Sequence, residues 1–350
     1  MIVEDSAVVR QLLSHIVARD PRLDLVAAVG TAEEALAEIG RIQPDVVSMD
    51  IRLPGMDGLE ATRRIMAEHP TPIVVIADAA GAAGTRLSMN ALRAGALAVV
   101  EKPFGPASAG YEAMADAIAT QLAIMSQVPV IRRRPLAAMG RPAEAPAPDP
   151  APPSLVGIAA STGGPPALAR VLGALPAGFP VPVLLVQHMG APFMEGFAEW
   201  LNGIVPPRVI LAREGAVPRP GEVHVAPGDR HLTVSPGGVL RVLEEPPPGL
   251  RATPGQRPSA DVLFGSMARS LGPRGLGVLL TGMGEDGAQG LTALRAAGGL
   301  TIAEDETTAV VYGMPAAAVR MGGASASLPL EMIAPRLLRA VQPAGPGAPA

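Results

Sequence analysis

Residues 155–168 read LVGIAASTGGPPAL. An apolar run, Leu155 to Ala159, leads into Ser161, Thr162, two glycines and two prolines. That order predicts a buried strand, a tight turn and the start of a helix. Strand–turn–helix units are the repeating element of an α/β sheet. A glycine-rich turn of this kind either cradles a phosphate or presents a catalytic serine. The rest of the chain has to decide between them.

Outward from this stretch the same alternation continues. Strands are expected at Leu155–Ala159, Val183–Val186 and Leu276–Leu280, each followed by a helix. Between them GEVHVAPGDRHLTVSPGGVLRVL, residues 221–243, carries short strands and turn signals, and reads as a small antiparallel excursion. Upstream, apolar runs at Leu23–Ala28, Val46–Met49, Ile73–Ile76 and Leu97–Val100 alternate with helical periodicity at 8–17, 32–39, 59–68, 86–94 and 109–125. Continuous apolar strands between amphipathic helices indicate parallel sheets covered on both faces. The fold class is therefore α/β, with two doubly wound parallel-sheet domains. They are divided by a proline- and alanine-rich linker at 126–153, whose last 25 residues hold eight prolines, a density that no helix or strand survives. The expected domains are 1–125 and 154–342, and a disordered tail is expected at 343–350.

Composition excludes several classes. Net charge is −4 and aromatics are 2% of the 350 residues, which speaks against a nucleic-acid partner. There is no cysteine, hence no disulfide, thiolate catalysis or zinc–thiolate site. The opening MIVEDSAVV has acids at once and no basic region, so it does not read as a signal peptide. No apolar run reaches the roughly 18 residues of a membrane span. A cytoplasmic chain without membrane insertion is the expectation. Of 28 basic residues only Lys102 is lysine, which marks a place where a compact ammonium is wanted.

In an open α/β sheet, ligands bind beyond the carboxyl ends of the strands. In the first domain Glu4 and Asp5 end the first strand, Asp50 ends VVSMD, and Lys102 ends LAVVEK. Three carboxylates with one ammonium suit a hard divalent cation such as Mg²⁺, and a carboxylate there can act as a nucleophile toward phosphorus. With DIRLPGMDG following Asp50, residues 1 to about 125 resemble the receiver domain of two-component response regulators, a flavodoxin-like fold. The resemblance implies Asp50 as phosphoacceptor and Lys102 as the phosphate-pairing lysine. It also implies Mg²⁺ held by Glu4, Asp5, Asp50 and the main-chain carbonyl of Arg52. Two departures stand out. PIVVIADAAG places Ala77, then Asp78, where receivers usually carry Ser or Thr. Only Met1 to Val3 precede the acidic pair, so the first strand is expected to be clipped.

In the second domain a phosphate-binding P-loop would need G-x-x-x-x-G-K-[ST], and no lysine follows Lys102. A nucleophilic serine needs a base and a group to orient it. His188 ends VLLVQH at the same sheet end as Ser161, and LLTGMGEDG places Glu285 and Asp286 just past a third strand, among glycines whose N–H groups can turn into a cavity. His15 and His69 lie in the first domain, and His224 and His231 read as surface or structural histidines. Ser161, His188 and Asp286 thus come from three strand ends of one sheet.

The motifs ASTGGP, VQHM, HVAPGDRHL, RPSADVLF, LLTGMGEDG and VVYGMPAAA, spread from Leu155 to Val341, together resemble the catalytic domain of the CheB protein-glutamate methylesterases, a Rossmann-like fold. The resemblance implies Ser161 as nucleophile, His188 as general base and Asp286 as orienting carboxylate. It points to backbone around Met283 as a contributor to the oxyanion hole, and gives Thr162, Arg257 and Asp261 no certain role. It implies hydrolysis of glutamyl methyl esters on methyl-accepting chemotaxis receptors without a cofactor, with deamidation of receptor glutamines. Control is expected from a chemotaxis histidine kinase phosphorylating Asp50, which relieves a cleft covered by the receiver. Two alternatives stay open: a phosphorylation-dependent non-enzymatic adaptor, and a methylesterase of a pathway unrelated to motility.

Overall fold

The computed structural model describes residues 1–78, 81–103, 105, 110–128 and 152–342. Most of the linker, 129–151, and the tail, 343–350, lie outside the described residues. The chain divides into two compact units, Met1–Ala138 and Met139–Ala350.

In the first unit the strands are β1 (Ile2–Val3), β2 (Ala28–Val29), β3 (Val47–Met49), β4 (Ile73–Ala77) and β5 (Ala98–Glu101). They alternate with helices α1 (Ala7–Arg19), α2 (Ala32–Ile42), α3 (Gly58–Glu68), α4 (Gly81–Ala94) and α5 (Tyr111–Met125). The sheet order is β2-β1-β3-β4-β5, with every pairing parallel. β1 has two residues, yet it pairs on both sides, with Ala28–Val29 and Ser48–Met49. The apolar run at 23–28 is not a strand over most of its length. Leu25 and Val26 are 38% and 51% exposed, and only its last residue joins β2, because the sheet needs just two residues to match β1. Val47, Met49, Ile65, Ile73 and Val75 sit in one core cluster; fully burying such a side chain contributes about 1.5–3 kcal/mol.

The second unit holds β6 (Leu155–Ala160), β7 (Val183–Gln187), β8 (Arg208–Leu211), β9 (Glu222–Val225), a hairpin of β10 (His231–Val234) and β11 (Leu240–Leu243), β12 (Gly275–Leu279), β13 (Leu300–Glu304) and β14 (Ala326–Leu328). The helices are α6 (Gly164–Gly173), α7 (Met194–Asn202), α8 (Ala260–Leu271), α9 (Ala288–Ala296), α10 (Met314–Arg320) and α11 (Leu330–Ala340). Seven strands form one parallel sheet in the order β14-β13-β12-β6-β7-β9-β8. The antiparallel excursion is smaller than expected. Among the described residues only β10 and β11 pair antiparallel, whereas β9 enters the main sheet between β7 and β8. Its Val223, His224 and Val225 are buried, so the sheet interior covers both faces of β9, which a hairpin on the surface would not.

β6 lies at the centre, with β7 on one side and β12 on the other. The chain leaves β6 toward β7 and later returns on the opposite side with β12. This reversal opens a crevice at the carboxyl ends, and the turn that carries Ser161 stands in it. Hydrogen bonds carry the register one step past the strands: Leu280 N–H to Ala159 O at 2.9 Å, Ser161 N–H to Thr281 O at 3.0 Å and His188 N–H to Ala160 O at 3.0 Å.

Candidate active sites

At the first sheet end Glu4 follows β1, Asp50 follows β3 and Lys102 follows β5. Lys102 Nζ lies 2.8 Å from Asp50 Oδ2 and 2.9 Å from Glu4 Oε2. Asp50 Oδ1 accepts a long hydrogen bond, 3.3 Å, from the Arg52 N–H. Donor oxygens of Glu4, Asp5 and Asp50 all fall within 4.8 Å of one another; Glu4 and Asp50 are buried and Asp5 is exposed. Arg10 donates to the carbonyls of Glu4 and Asp5 at 2.6 and 3.1 Å, bracing the turn that carries them. Burial, and then the Asp50 charge, hold the Glu4 carboxyl above its ordinary value despite the Lys102 hydrogen bond. Burial opposes the Lys102 charge, but its hydrogen bonds to Asp50 and Glu4 outweigh that and hold the ammonium above its ordinary value. Three oxygen donors with excess negative charge fit a hard divalent cation. Ala77 closes β4 nearly buried, and its carbonyl accepts from Lys102 N–H at 3.0 Å; its methyl group can bond nothing polar.

At the second sheet end the serine turn is shaped by close approach. Gly163 has φ 77°, and a Cβ there would lie 2.5 Å from Val310. A Cβ on Gly282 would lie 2.7 Å from Ser161 Cβ; only glycine lets these two turns touch. Gln187, buried at the end of β7, donates to the carbonyls of Ser161 and His188 at 2.9 and 3.0 Å, tying the two loops together. Thr281 donates its hydroxyl to Thr162 O at 2.9 Å and receives the Val311 N–H. Thr162 therefore supports the turn through its carbonyl.

His188 Nε2 lies 2.8 Å from Asp286 Oδ2. His188 Nδ1 is buried with no hydrogen-bond partner among the described residues. Asp286 is 2% exposed but saturated with donors. Oδ2 also accepts from Ala260 N–H at 2.6 Å, and Oδ1 accepts from the Ser259 hydroxyl at 2.7 Å and Asp261 N–H at 3.2 Å. Two of these donors are the free N–H groups at the start of α8, where the helix favours an anion. Burial works against the Asp286 charge. The His188, Ser259 and Ala260 contacts more than offset it and hold the carboxyl below the usual range. An ionised Asp286 accepting from Nε2–H leaves Nδ1 as the imidazole's proton acceptor.

Met283 is 44% exposed beside Gly282, and its N–H donates to no other described residue. Glu285 points elsewhere, paired with Arg320 at 2.7 Å on the surface. Arg257 pairs with Glu245 at 3.0 Å and lines a groove of about 620 Å³ with His231, Arg251 and Thr253. His224 and His231 are buried rather than superficial, at 3% and 1%. Sequence reasoning misses Gln187, Thr253, Ser259 and Thr281. Gln187 and Ser259 lie inside the motifs VQHM and RPSADVLF; Thr253 lies in none.

Ser161, His188 and Asp286 lie beyond three strand ends of one parallel sheet, and the same chain carries an acidic sheet end of the receiver kind. The CheB methylesterase family matches residues 156–337, and the response regulator receiver domain matches residues 1–109. The chain belongs to the CheB methylesterase family. It is 51% identical over 342 residues to protein-glutamate methylesterase/protein-glutamine glutaminase 2 of Paramagnetospirillum magneticum, covering 96% of each chain. A counterpart from Myxococcus xanthus is 45% identical over 99% of this chain and 97% of that one. The crystal structure of the Thermotoga maritima CheB methylesterase catalytic domain is similar at a TM-score of 0.50, with 34% identity, over 53% of this chain and 98% of that one. Among the described residues no helix is long and apolar enough to cross a membrane.

Proposed function

We propose that the chain hydrolyses γ-glutamyl methyl esters of chemoreceptors, releasing methanol, and deamidates receptor glutamines at the same site. The observation that carries this is the His188–Asp286 contact of 2.8 Å with Nδ1 left free, one rung of the sheet from Ser161. Ser161 Oγ attacks the ester carbonyl while its proton passes to His188 Nδ1. His188 Nε2–H stays on Asp286, which stabilises the imidazolium. The tetrahedral oxyanion is received by the Met283 N–H. Collapse breaks the bond to methoxide, which leaves as methanol with the proton from His188. Water, deprotonated by His188, then attacks the acyl-serine and frees the glutamate carboxylate. An amide follows the same path and releases ammonia.

In the receiver unit Asp50 is the phosphoacceptor, with a chemotaxis histidine kinase as donor, and Lys102 pairs with the incoming phosphoryl oxygens. Glu4, Asp5, Asp50 and the Arg52 carbonyl would hold Mg²⁺. When bound, the ion neutralises charge between carboxylate and phosphoryl oxygens. Phosphorylation relieves inhibition of the esterase. The domains are read as 1–125 and 154–342, joined by the proline-rich linker, and the reactions are cytoplasmic. The proton-relay set and the named relatives support an enzyme over a non-enzymatic adaptor.

Methanol release from methylated receptor, compared between the wild type and Ser161→Ala, tests the reading. The variant should fall by about 10³-fold or more. Equal release from both proteins would overturn the assignment of Ser161.

A further inference from the structure

Thr253 Oγ1 lies 3.0 Å from Asp286 Oδ1 and 3.1 Å from Asp261 Oδ2. A hydroxyl has one hydrogen to donate. It can serve one of these carboxylates; toward the other it offers only lone pairs. If both were ionised, one buried oxygen would face Thr253 without a proton between them, and two like charges would share a site. Asp286 is committed as the anion by its remaining donors, two backbone N–H groups, the Ser259 hydroxyl and His188 Nε2. The balance closes if the second proton sits on Asp261 Oδ2. Asp261 then donates to Thr253, and Thr253 donates to Asp286.

We propose that Asp261 is a neutral carboxylic acid in the working enzyme and, through Thr253, a positioning residue for Asp286. This rests on the reading of Asp286 as the partner of a catalytic His188. It gives RPSADVLF a function as a unit. Ser259 and the N–H groups of Ala260 and Asp261 hold Asp286, and the Asp261 side chain supplies the hydrogen that completes the Thr253 bridge. Asp261 is 7% exposed. Burial, and then the Asp286 charge, raise its carboxyl above the usual range, against hydrogen bonds from the Gly290 and Gly287 N–H groups and Thr253. The Gly290 bond goes to Oδ1 at 2.8 Å, so it does not compete for the Oδ2 proton.

Among the described residues, the other charged and titratable groups around this pair are few. His188 meets Asp286 directly. On the β10 side His231 interacts with Asp286, Arg257 and Glu245, and burial, then the Arg257 charge, lower its tendency to protonate. From α9 the contacts to Asp261 are backbone N–H groups. Asp286 is therefore the nearest charge able to hold the proton on Asp261. Once Asp261 ionises at high pH, Thr253 is contested by two anions and the bridge to Asp286 weakens.

The test combines one readout independent of catalysis with one that depends on it. In the full chain with ¹³C-labelled aspartate carboxyls, the Asp261 signal is assigned by its loss in Asp261→Asn. It should report a protonated carboxyl near neutral pH and titrate well above the ordinary aspartate range. In the methanol assay Asp261→Asn should keep kcat within about two-fold of wild type, because its amide can donate to Thr253 while its oxygen keeps the Gly290 bond. It should also lose the alkaline decline that Asp261 ionisation imposes on wild type. Thr253→Val should lower kcat by about ten-fold with little change in KM. An Asp261 carboxyl ionised at neutral pH overturns the proposal, as does an Asp261→Asn variant as impaired as Asp261→Ala. A wild type that released no methanol would defeat the methylesterase reading, and the carboxyl titration would still decide where the proton sits.

Discussion

Two sheet ends in this chain are made from the same parts and surround a carboxylate in opposite ways. Asp50 follows β3 and Asp286 follows β12, and they are 4% and 2% exposed. Asp50 has one ammonium on Oδ2 and one long N–H contact on Oδ1, with Glu4 and Asp5 beside it. Asp286 has five donors, two of them from the start of a helix. An oxygen that must form a new bond to phosphorus has to be left available. An oxygen that must only hold an imidazole works better when tied down. Donor count, rather than burial, separates the two carboxylates, and it suits the proposed nucleophile and the proposed positioning group.

The comparison can be broken most sharply at Asp286. Replacing it by Asn turns an anion held by five donors into an amide whose NH₂ opposes some of them. Methylesterase kcat should fall by about 10³-fold or more, while uptake of labelled phosphate at Asp50 from a small phosphoryl donor should persist. Loss of both would mean that the two sites do not act separately.

A third carboxylate tests the same rule by stability. Glu304 ends β13, fully buried, with two donors, Thr281 N–H at 2.8 Å and the Thr308 hydroxyl at 3.0 Å. With so few, burial dominates and pushes its carboxyl up to about 7 from 4.5. The folded chain then binds this proton more tightly than the unfolded chain. Its contribution to stability is complete below about pH 4.5 and is lost as pH rises through about 7. At about 1.4 kcal/mol per unit the loss is about 3–4 kcal/mol. Denaturant unfolding on both sides of that window should show this slope in wild type and a flatter one in Glu304→Gln; identical slopes would show that folding does not raise the Glu304 carboxyl.

The smallest effect belongs to the receiver. Ala77 offers no hydroxyl to a phosphoryl group, so stimulation of methanol release by a phosphoryl donor should be modest. Ala77→Ser restores one charge-assisted hydrogen bond, about 1.5–3 kcal/mol. It should raise the stimulation factor by roughly ten-fold. Strong stimulation of the wild type, lost in Asp50→Asn, would show that the hydroxyl is dispensable.

Much of both sites is legible in the order of residues. Asp50, Lys102, Ser161 and His188 each close an apolar run, and the end of a parallel strand is where side chains converge. Asp286 stands a few residues past such an end. What surrounds Asp286 is not legible. Ser259, Ala260 and Asp261 precede it by 25 or more positions, and Thr253 lies in an irregular segment with no pattern of its own. Similarly, Glu222–Val225 has the short length and flanking turns of a hairpin strand. Its place between β7 and β8 depends on burial of both its faces, which local sequence does not encode.

The order of apolar runs, the glycines at 163 and 282, the single lysine and the acids at strand ends were determined by sequence alone, because each is a local consequence of composition and spacing. The ionisation of the buried acids was decided only by tertiary structure. Asp286, Asp261 and Glu304 are similar groups in a chain, and nothing local separates them. They become an anion, a neutral acid and a group balanced near neutral pH through the donors that packing brings to each: the start of α8, the Thr253 hydroxyl, and the Thr281 N–H.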